Sequence, residues 1–249
     1  MISTAVLADA PVVYWKLDDP NGPAASDSSG NGNPGVYSGT FQLGKPGPEV
    51  GTNAALFQDG ALVYSFGPTP RLVRPYSMDC WLAAEQIQPQ QQNGQYNGNG
   101  SANGIGWGWN LGVSLTQPID VLVGGIAIGA PAGALLVAAW HHVAFTTDVT
   151  QITDLYVDGV QVYTANTGPI NAIAAADKFQ VGGNKPGQLC YMAHAALYPS
   201  VLPPARVLAH FNANATPQPP TSATGVTSGD IASILATLAE ILAAVKRAF

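Results

Sequence analysis

Trp140–Gly159, WHHVAFTTDVTQITDLYVDG, is the stretch whose reading decides the fold. It holds two short runs of aromatic and β-branched residues, Trp140–Thr146 and Leu155–Val157, separated by polar turn residues. Alternation with a period of two, bounded by turn chemistry, predicts half-buried antiparallel strands. Asp158-Gly159 then stands between Leu155-Tyr156-Val157 and Val160-Gln161-Val162-Tyr163. A type I′ hairpin turn needs φ > 0 at both central residues, which Asp-Gly supplies. The segment predicts a meander in an all-β domain.

Outward from it, further short strands are expected throughout residues 12–198. Val12–Leu17 follows an opening turn and ends at Asp18-Asp19-Pro20; Val36-Tyr37 and Ala54–Phe57 come next. Asp59-Gly60 reads as another turn before Leu62–Phe66, and Tyr76–Glu85 as a long central strand. Gly106–Leu115, Ile119–Gly124, Leu135–Val137, Phe179–Val181 and Leu189–Tyr198 complete the set. Pro203–Phe211 predicts a short helix that starts at proline, which a first turn tolerates. Gln86–Gly104 has almost no apolar residue and no period, the pattern of a long exposed loop.

Three parts are predicted: a sandwich over 1–214, a Pro/Thr/Ser linker over 215–229, and an amphipathic helix over 230–249. In that helix Ile231, Leu235, Leu238, Leu242, Val245 and Phe249 alternate spacings of four and three, a coiled-coil seam broadened by Ile234 and Ile241. A single helix on a linker leaves that stripe uncovered, so self-association or docking on a partner is expected. Isoleucine along the seam favours a trimer. Glu240 sits mid-run, against a membrane span.

The bulk numbers agree with a turn-rich sheet protein: 249 residues, 47% hydrophobic, 10% charged, with 28 Gly and 20 Pro. A net charge of −6 with nine scattered Lys and Arg argues against nucleic-acid binding. The first residues, Met1-Ile2-Ser3-Thr4-Ala5, lack the basic and apolar regions of a secretory signal, which predicts synthesis in a cytoplasm.

The WHHVAFTTD and LYVDG segments resemble the centre of laminin-G-like, concanavalin A-like jelly-roll domains. Val6–Asp18, Asp27–Gly39, Tyr76–Leu82 and Phe179–Tyr198 fit the same pattern in the same order. The resemblance implies an antiparallel β-sandwich with Trp15, Trp81 and Trp140 in its core. It also implies carbohydrate binding, for which Tyr96, Asn97 and Asn99 offer hydrogen bonds beside Trp107 and Trp109. Those tryptophans are two apart and share one face of a strand; outward they make a sugar platform, inward they are core. Relatives often hold calcium at a rim. Asp27, Asn31 and Asn33 offer hard oxygens in one turn, and the same residues also suit a tight turn without an ion. Where relatives carry an acidic pair, this chain has Ala193-His194-Ala195, which removes carboxylates there.

Other chemistry is sparse. Glycosidases of this fold need paired carboxylates on one strand. The only glutamates are Glu49, Glu85 and Glu240, without an E-x-D-x-E arrangement. His141 and His142 are adjacent on a strand and point to opposite faces, so one is expected packed and one at the surface. Cys80 and Cys190 read as buried free thiols; in the resembling fold their strands can be neighbours, which leaves a bridge open. The combination resembles appendage proteins of bacterial viruses. The expectation is a non-enzymatic virion surface protein, a minor tail, fibre or capsid-decoration protein. It would dock on other virion proteins through 230–249 and present a lectin-like domain to host-surface glycans. A secreted carbohydrate-binding or adhesion module is the rival reading, and a degraded glycanase a third.

Overall fold

Asp158 and Gly159 both lie at positive φ, 51° and 77°, the backbone of a type I′ turn. The hairpin they close pairs Val157 with Val160. In the computed structural model the described residues are 1–65, 74–84, 105–108, 120–123, 126–129, 139–168, 179–182 and 189–214. The described chain begins with α1 (Ile2–Leu7), β1 (Val13–Trp15), β2 (Ala24–Ala25), β3 (Gly35–Pro46), β4 (Asn53–Ser65) and β5 (Tyr76–Ala84). Next come β6 (Ile105–Gly108), β7 (Asp120–Val123), β8 (Ile126–Gly129), β9 (His141–Thr147), β10 (Ile152–Val157) and β11 (Val160–Asn166). β12 (Gln180–Gly182), β13 (Leu189–Tyr198) and α2 (Pro204–Asn212) follow.

Every pairing among the described strands is antiparallel. The main sheet runs β11-β10-β9-β5-β13-β4-β3-β2, and β6-β7-β8 form a second, three-stranded sheet. β5 is central, with β9 on one side and β13 on the other. The far edge of β13 is shared: Leu189–Met192 pair with β4, and Ala195–Leu197 pair with β1. The register shifts between Ala193 and Ala196, where His194 adopts φ 55°.

One face of the main sheet carries a continuous core that includes Trp15, Tyr37, Phe57, Met78, Phe145, Leu155 and Val181. These residues come from both ends of the strand order, so the sheet curls around them, as a sandwich requires. The opposite face carries a second core of Tyr14, Trp81, Trp140, Tyr156 and Tyr198 with Ile2, Val6 and Val207 of the two helices. Its floor is small: Ala54, Ala83, Ala144, Ala193 and Ala196 belong to it. Small side chains let the helices approach the sheet closely. Trp15, Trp81 and Trp140 are core, at 0%, 2% and 8% exposure.

This second layer corrects several expectations. β9 is buried at all seven positions rather than on one face, because the helical layer covers the side that a bare sandwich would show to water. His141 and His142 are accordingly both buried. The opening turn is helix α1, which buries Ile2 and Val6 four residues apart. So short a helix draws its stability from packing rather than from propensity. The first strand is only Val13–Trp15. Asp59-Gly60 is no turn; it lies within β4, where Gln58 pairs with Thr40 and Leu62 with Ser38. Asp59, Gly60 and Ala61 stand opposite Gly39 alone, so the extra residues make an irregularity in β4 with paired ladder on either side of it. Leu135–Val137 lies outside the described residues, and the third strand of the small sheet is β8.

The tip of the β10–β11 hairpin touches α2. A Cβ on Gly159 would lie 2.7 Å from Leu208 Cδ1 and 3.1 Å from Leu208 Cα. Gly159→Ala is expected to lose about 2–4 kcal/mol of stability through left-handed strain plus overpacking. Gly30→Ala, at φ 85° in open space, is expected to lose only about 1–2 kcal/mol. Urea unfolding of both variants separates the two contributions.

Candidate functional site

The turn after β2 gathers Asp27, Asn31 and Asn33 around one carboxylate, which is hydrogen-bonded within the protein. Asp27 Oδ1 accepts the Tyr14 and Ser29 backbone N–H groups at 3.0 and 2.9 Å. Its Oδ2 accepts the Asn33 N–H and the Ser29 hydroxyl, each at 2.8 Å. Asn31 Nδ2 donates to the Pro11 carbonyl at 2.9 Å and Asn33 Nδ2 to the Val12 carbonyl at 2.8 Å. Trp15 Nε1 donates to the Asn33 carbonyl at 2.9 Å. Burial alone would raise the Asp27 pKa; the donors from Asn33, Ser29 and Tyr14 outweigh it and hold it below the ordinary value. The carboxylate expected to bind calcium is thereby a knot that fixes the turn to β1.

Of the expected sugar-binding residues, Trp107 lies in β6, its backbone paired with Val121 of β7. Tyr96, Asn97, Asn99 and Trp109 fall outside the described residues, as does loop 86–104. Residues 215–249, with the seam positions Ile231, Ile234, Leu235, Leu238, Ile241, Leu242, Val245 and Phe249, fall outside them as well. Cys80 and Cys190 are buried thiols not joined by a disulfide, and burial pushes the Cys80 thiol well up. Their strands are neighbours, but Cys190 pairs with Ala84 and Cys80 with Val143, so the two are offset along the sheet.

The densest chemistry in the described chain sits between the sheet and α2. Asp79, in the middle of β5, is buried. Its Oδ2 lies 2.6 Å from His210 Nδ1 of α2 and 3.3 Å from His142 Nε2 of β9. The Tyr198 hydroxyl stands 3.2 and 3.3 Å from its two oxygens. His210 Nε2 reaches Asp9 Oδ2 at 2.7 Å. Asp9 in turn accepts Arg206 Nε at 2.9 and 3.0 Å, and Arg206 also donates to the Ala5 carbonyl at 3.2 Å.

Held between two carboxylates, His210 is placed to donate from both nitrogens, an arrangement that favours the imidazolium. Burial opposes that charge, but Asp79 and Asp9 outweigh it and raise the pKa. Burial likewise works against ionised Asp79; the His210 charge and the hydrogen bonds from His142 and His210 hold its carboxyl far below the usual range. His142 Nδ1 is buried with no hydrogen-bond partner among the described residues. Asp79, His142 and His210 each offer one ligand atom, all within 4.8 Å of one another.

This cluster was not expected from the sequence. Asp79, His142 and His210 are spread over 131 residues, and no local spacing announces them. The available signal was a carboxylate inside the apolar run Tyr76–Leu82, a position where an aspartate needs a partner.

A further buried histidine lies nearby. His194 Nδ1 is 2.6 Å from the Tyr14 hydroxyl, which donates to Ser3 Oγ at 2.9 Å. Burial pushes the His194 pKa down to about 4. His141 Nδ1 pairs with Asp158 Oδ2 at 2.7 Å, and Asp158 Oδ1 accepts the His142 N–H at 2.9 Å. The hairpin turn is thus fastened to β9.

A family model described as the concanavalin A-like lectin/glucanases superfamily matches residues 59–207. No curated protein matches the sequence. Domain 4 of AbnA, an extracellular arabinanase from Geobacillus stearothermophilus, solved in complex with arabinotriose, is similar at TM-score 0.62 and 18% identity; the match covers 80% of this chain and 97% of that domain. The botulinum neurotoxin serotype D binding domain is similar at TM-score 0.64 and 12% identity, covering 86% of this chain and 53% of that one. The receptor-binding domain of botulinum neurotoxin type G gives TM-score 0.60 and 10% identity, over 82% and 51%. This chain therefore spans about half the length of the neurotoxin domains. At these identities the likeness shows the fold.

Removing His210 would leave Asp79 buried without its strongest partner. His210→Ala is expected to cost about 3–5 kcal/mol, against about 1 kcal/mol or less for Arg206→Ala at the half-exposed end of the chain of contacts; denaturant midpoints compare them. The His194 prediction concerns acid. The unfolded histidine takes up its proton near pH 6.5 and the folded one near 4. Its contribution is intact above pH 6.5 and falls by about 2–3 kcal/mol as pH drops towards 4. His194→Asn, which tolerates the positive φ, is expected to flatten that part of the stability–pH curve.

Proposed function

Because the chain belongs to the concanavalin A-like lectin/glucanase superfamily, we propose that it is a non-enzymatic glycan-binding protein whose sandwich is the binding head. The observation that carries this reading is the likeness to a domain solved with arabinotriose, a likeness that runs over 97% of that domain. Another similar structure comes from botulinum neurotoxin type C, described as depending on two ganglioside molecules for cell entry. The sequence adds the amides and aromatics of such a site: Tyr96, Asn97 and Asn99, followed by Trp107 and Trp109. Sugar recognition needs this pairing of an aromatic face with hydrogen-bonding edges.

The non-enzymatic part rests on the carboxylates. Asp79 is locked between His210, His142 and Tyr198. Glu49 is buried and accepts the Ile2 N–H at 3.3 Å. Neither is free to act as an acid or base on a bound sugar.

The finer proposal is a virion surface protein. Residues 230–249 oligomerise as a trimer or dock on a particle, and the head is presented to host-surface glycans. The heptad spacing of Ile231, Leu235, Leu238, Leu242, Val245 and Phe249 supports that arrangement.

A glycan array probed with the full chain, including arabino-oligosaccharides and ganglioside headgroups, tests the head. Binding is expected without release of reducing sugar. Trp107→Ala and Trp109→Ala are expected to weaken it at least about tenfold while the melting temperature holds. No binding to any glycan, or hydrolysis of one, would reject the reading. Light scattering of the chain with and without residues 230–249 tests the assembly, with loss of the trimer expected on truncation.

A further inference from the structure

We propose that Asp79, His142 and His210 form a structural site for a divalent transition-metal ion of the zinc class, buried between the main sheet and α2. Two imidazoles and a carboxylate are a donor set suited to zinc, whereas calcium asks for six to eight oxygens. The three donors come from β5, β9 and α2 and converge within 4.8 Å.

The spacing is the second argument. His142 Nε2 stands 3.3 Å from Asp79, and the Tyr198 hydroxyl 3.2 and 3.3 Å from its two oxygens. Charge-assisted hydrogen bonds close to about 2.5–2.9 Å. Ligand atoms around a tetrahedral ion with bonds near 2.0 Å stand about 3.3 Å apart. Of the two imidazole–carboxylate contacts at Asp79, that of His142 at 3.3 Å therefore already has the separation of neighbouring ligands. The other, His210 to Asp79 at 2.6 Å, opens by about 0.7 Å when the ion enters. That entry breaks the His210 Nδ1–H bond, whose lone pair goes to the metal and whose proton leaves to solvent; His142 binds as its other tautomer, its proton moved from Nε2 to Nδ1 so that the Nε2 lone pair faces the ion.

The surroundings are the third argument. Metal-bound imidazoles usually donate their other N–H to a carboxylate. His210 Nε2 does so to Asp9 at 2.7 Å, and Arg206 holds Asp9 from behind. His142, Asp79 and His210 are 1%, 4% and 0% exposed, and Tyr198 is 0% exposed. A site closed in this way has no position for a substrate; the ion pins α2 to the centre of the sheet.

The test uses the full, tag-free chain expressed in zinc-supplemented medium. Elemental analysis is expected to find about one zinc per chain, and the cobalt-loaded protein to show the visible bands of a tetrahedral ion. Chelation is expected to lower the melting temperature and added zinc to restore it. Asp9→Asn, which removes no ligand, is expected to weaken zinc binding roughly 10–100-fold. A chain that purifies without metal, and whose melting temperature and cobalt spectrum do not respond when it is refolded with either ion, overturns the proposal and leaves protons alone holding the cluster. Glycan binding is read separately, and its outcome has no bearing on this one.

Discussion

His210 reaches Asp79 in the middle of the sheet with one ring nitrogen and Asp9 beyond the first helix with the other. The contact joins the beginning of the described chain, its central strand and its closing helix in one line of charge. A carboxylate buried as deeply as Asp79 is tolerable only with a counter-charge and hydrogen bonds. That requirement fixes where α2 sits. Ser77 Oγ reinforces it by donating to the Ser200 carbonyl and accepting the Leu202 N–H, both at 2.8 Å. Once α2 is placed, Val207 fills the second core, Leu208 lies over the hairpin tip, and the outer face of β9 is closed to water.

The described sandwich thus has two kinds of surface. The face under the helices is occupied by its own chain and serves stability. The three-stranded sheet that contains Trp107 is hydrogen-bonded separately from the main sheet. The family supplies the frame, and the helical cover decides which side of it is available.

The meander and the central strand were readable because their signals are local. Asp158-Gly159 needs no distant partner to make a type I′ turn, and the alternation in Trp140–Thr146 marks a strand wherever it packs. The same locality misled at Asp59-Gly60, where long ladders overrode turn chemistry, and at β9, where periodicity could not report that a second face would be covered. Asp79 and His210 were visible only as a polar residue in an apolar strand and a histidine in a short helix. Their meaning is a contact across 131 residues, which no window of sequence contains. Asp27 shows the opposite case. Asn-Gly-Asn chemistry suited both a turn and an ion, and the hydrogen-bond donors around the carboxylate account for the turn.

The pairing of β1 with the far half of β13, together with the reach of Asp9 and Asp79 to α2, bears on how the molecule is made. A ribosome delivers β1, β5 and β9 long before α2. Until β13 emerges the Tyr14 edge has no neighbouring strand, and until α2 follows it Asp79 lacks His210 and the aromatic face of the sheet is open. Closing loops of this length is slow, and half-built sheets of this kind adhere to one another. The nascent chain therefore completes its centre late, and its vulnerable period is the interval between synthesis of β9 and arrival of the closing helix.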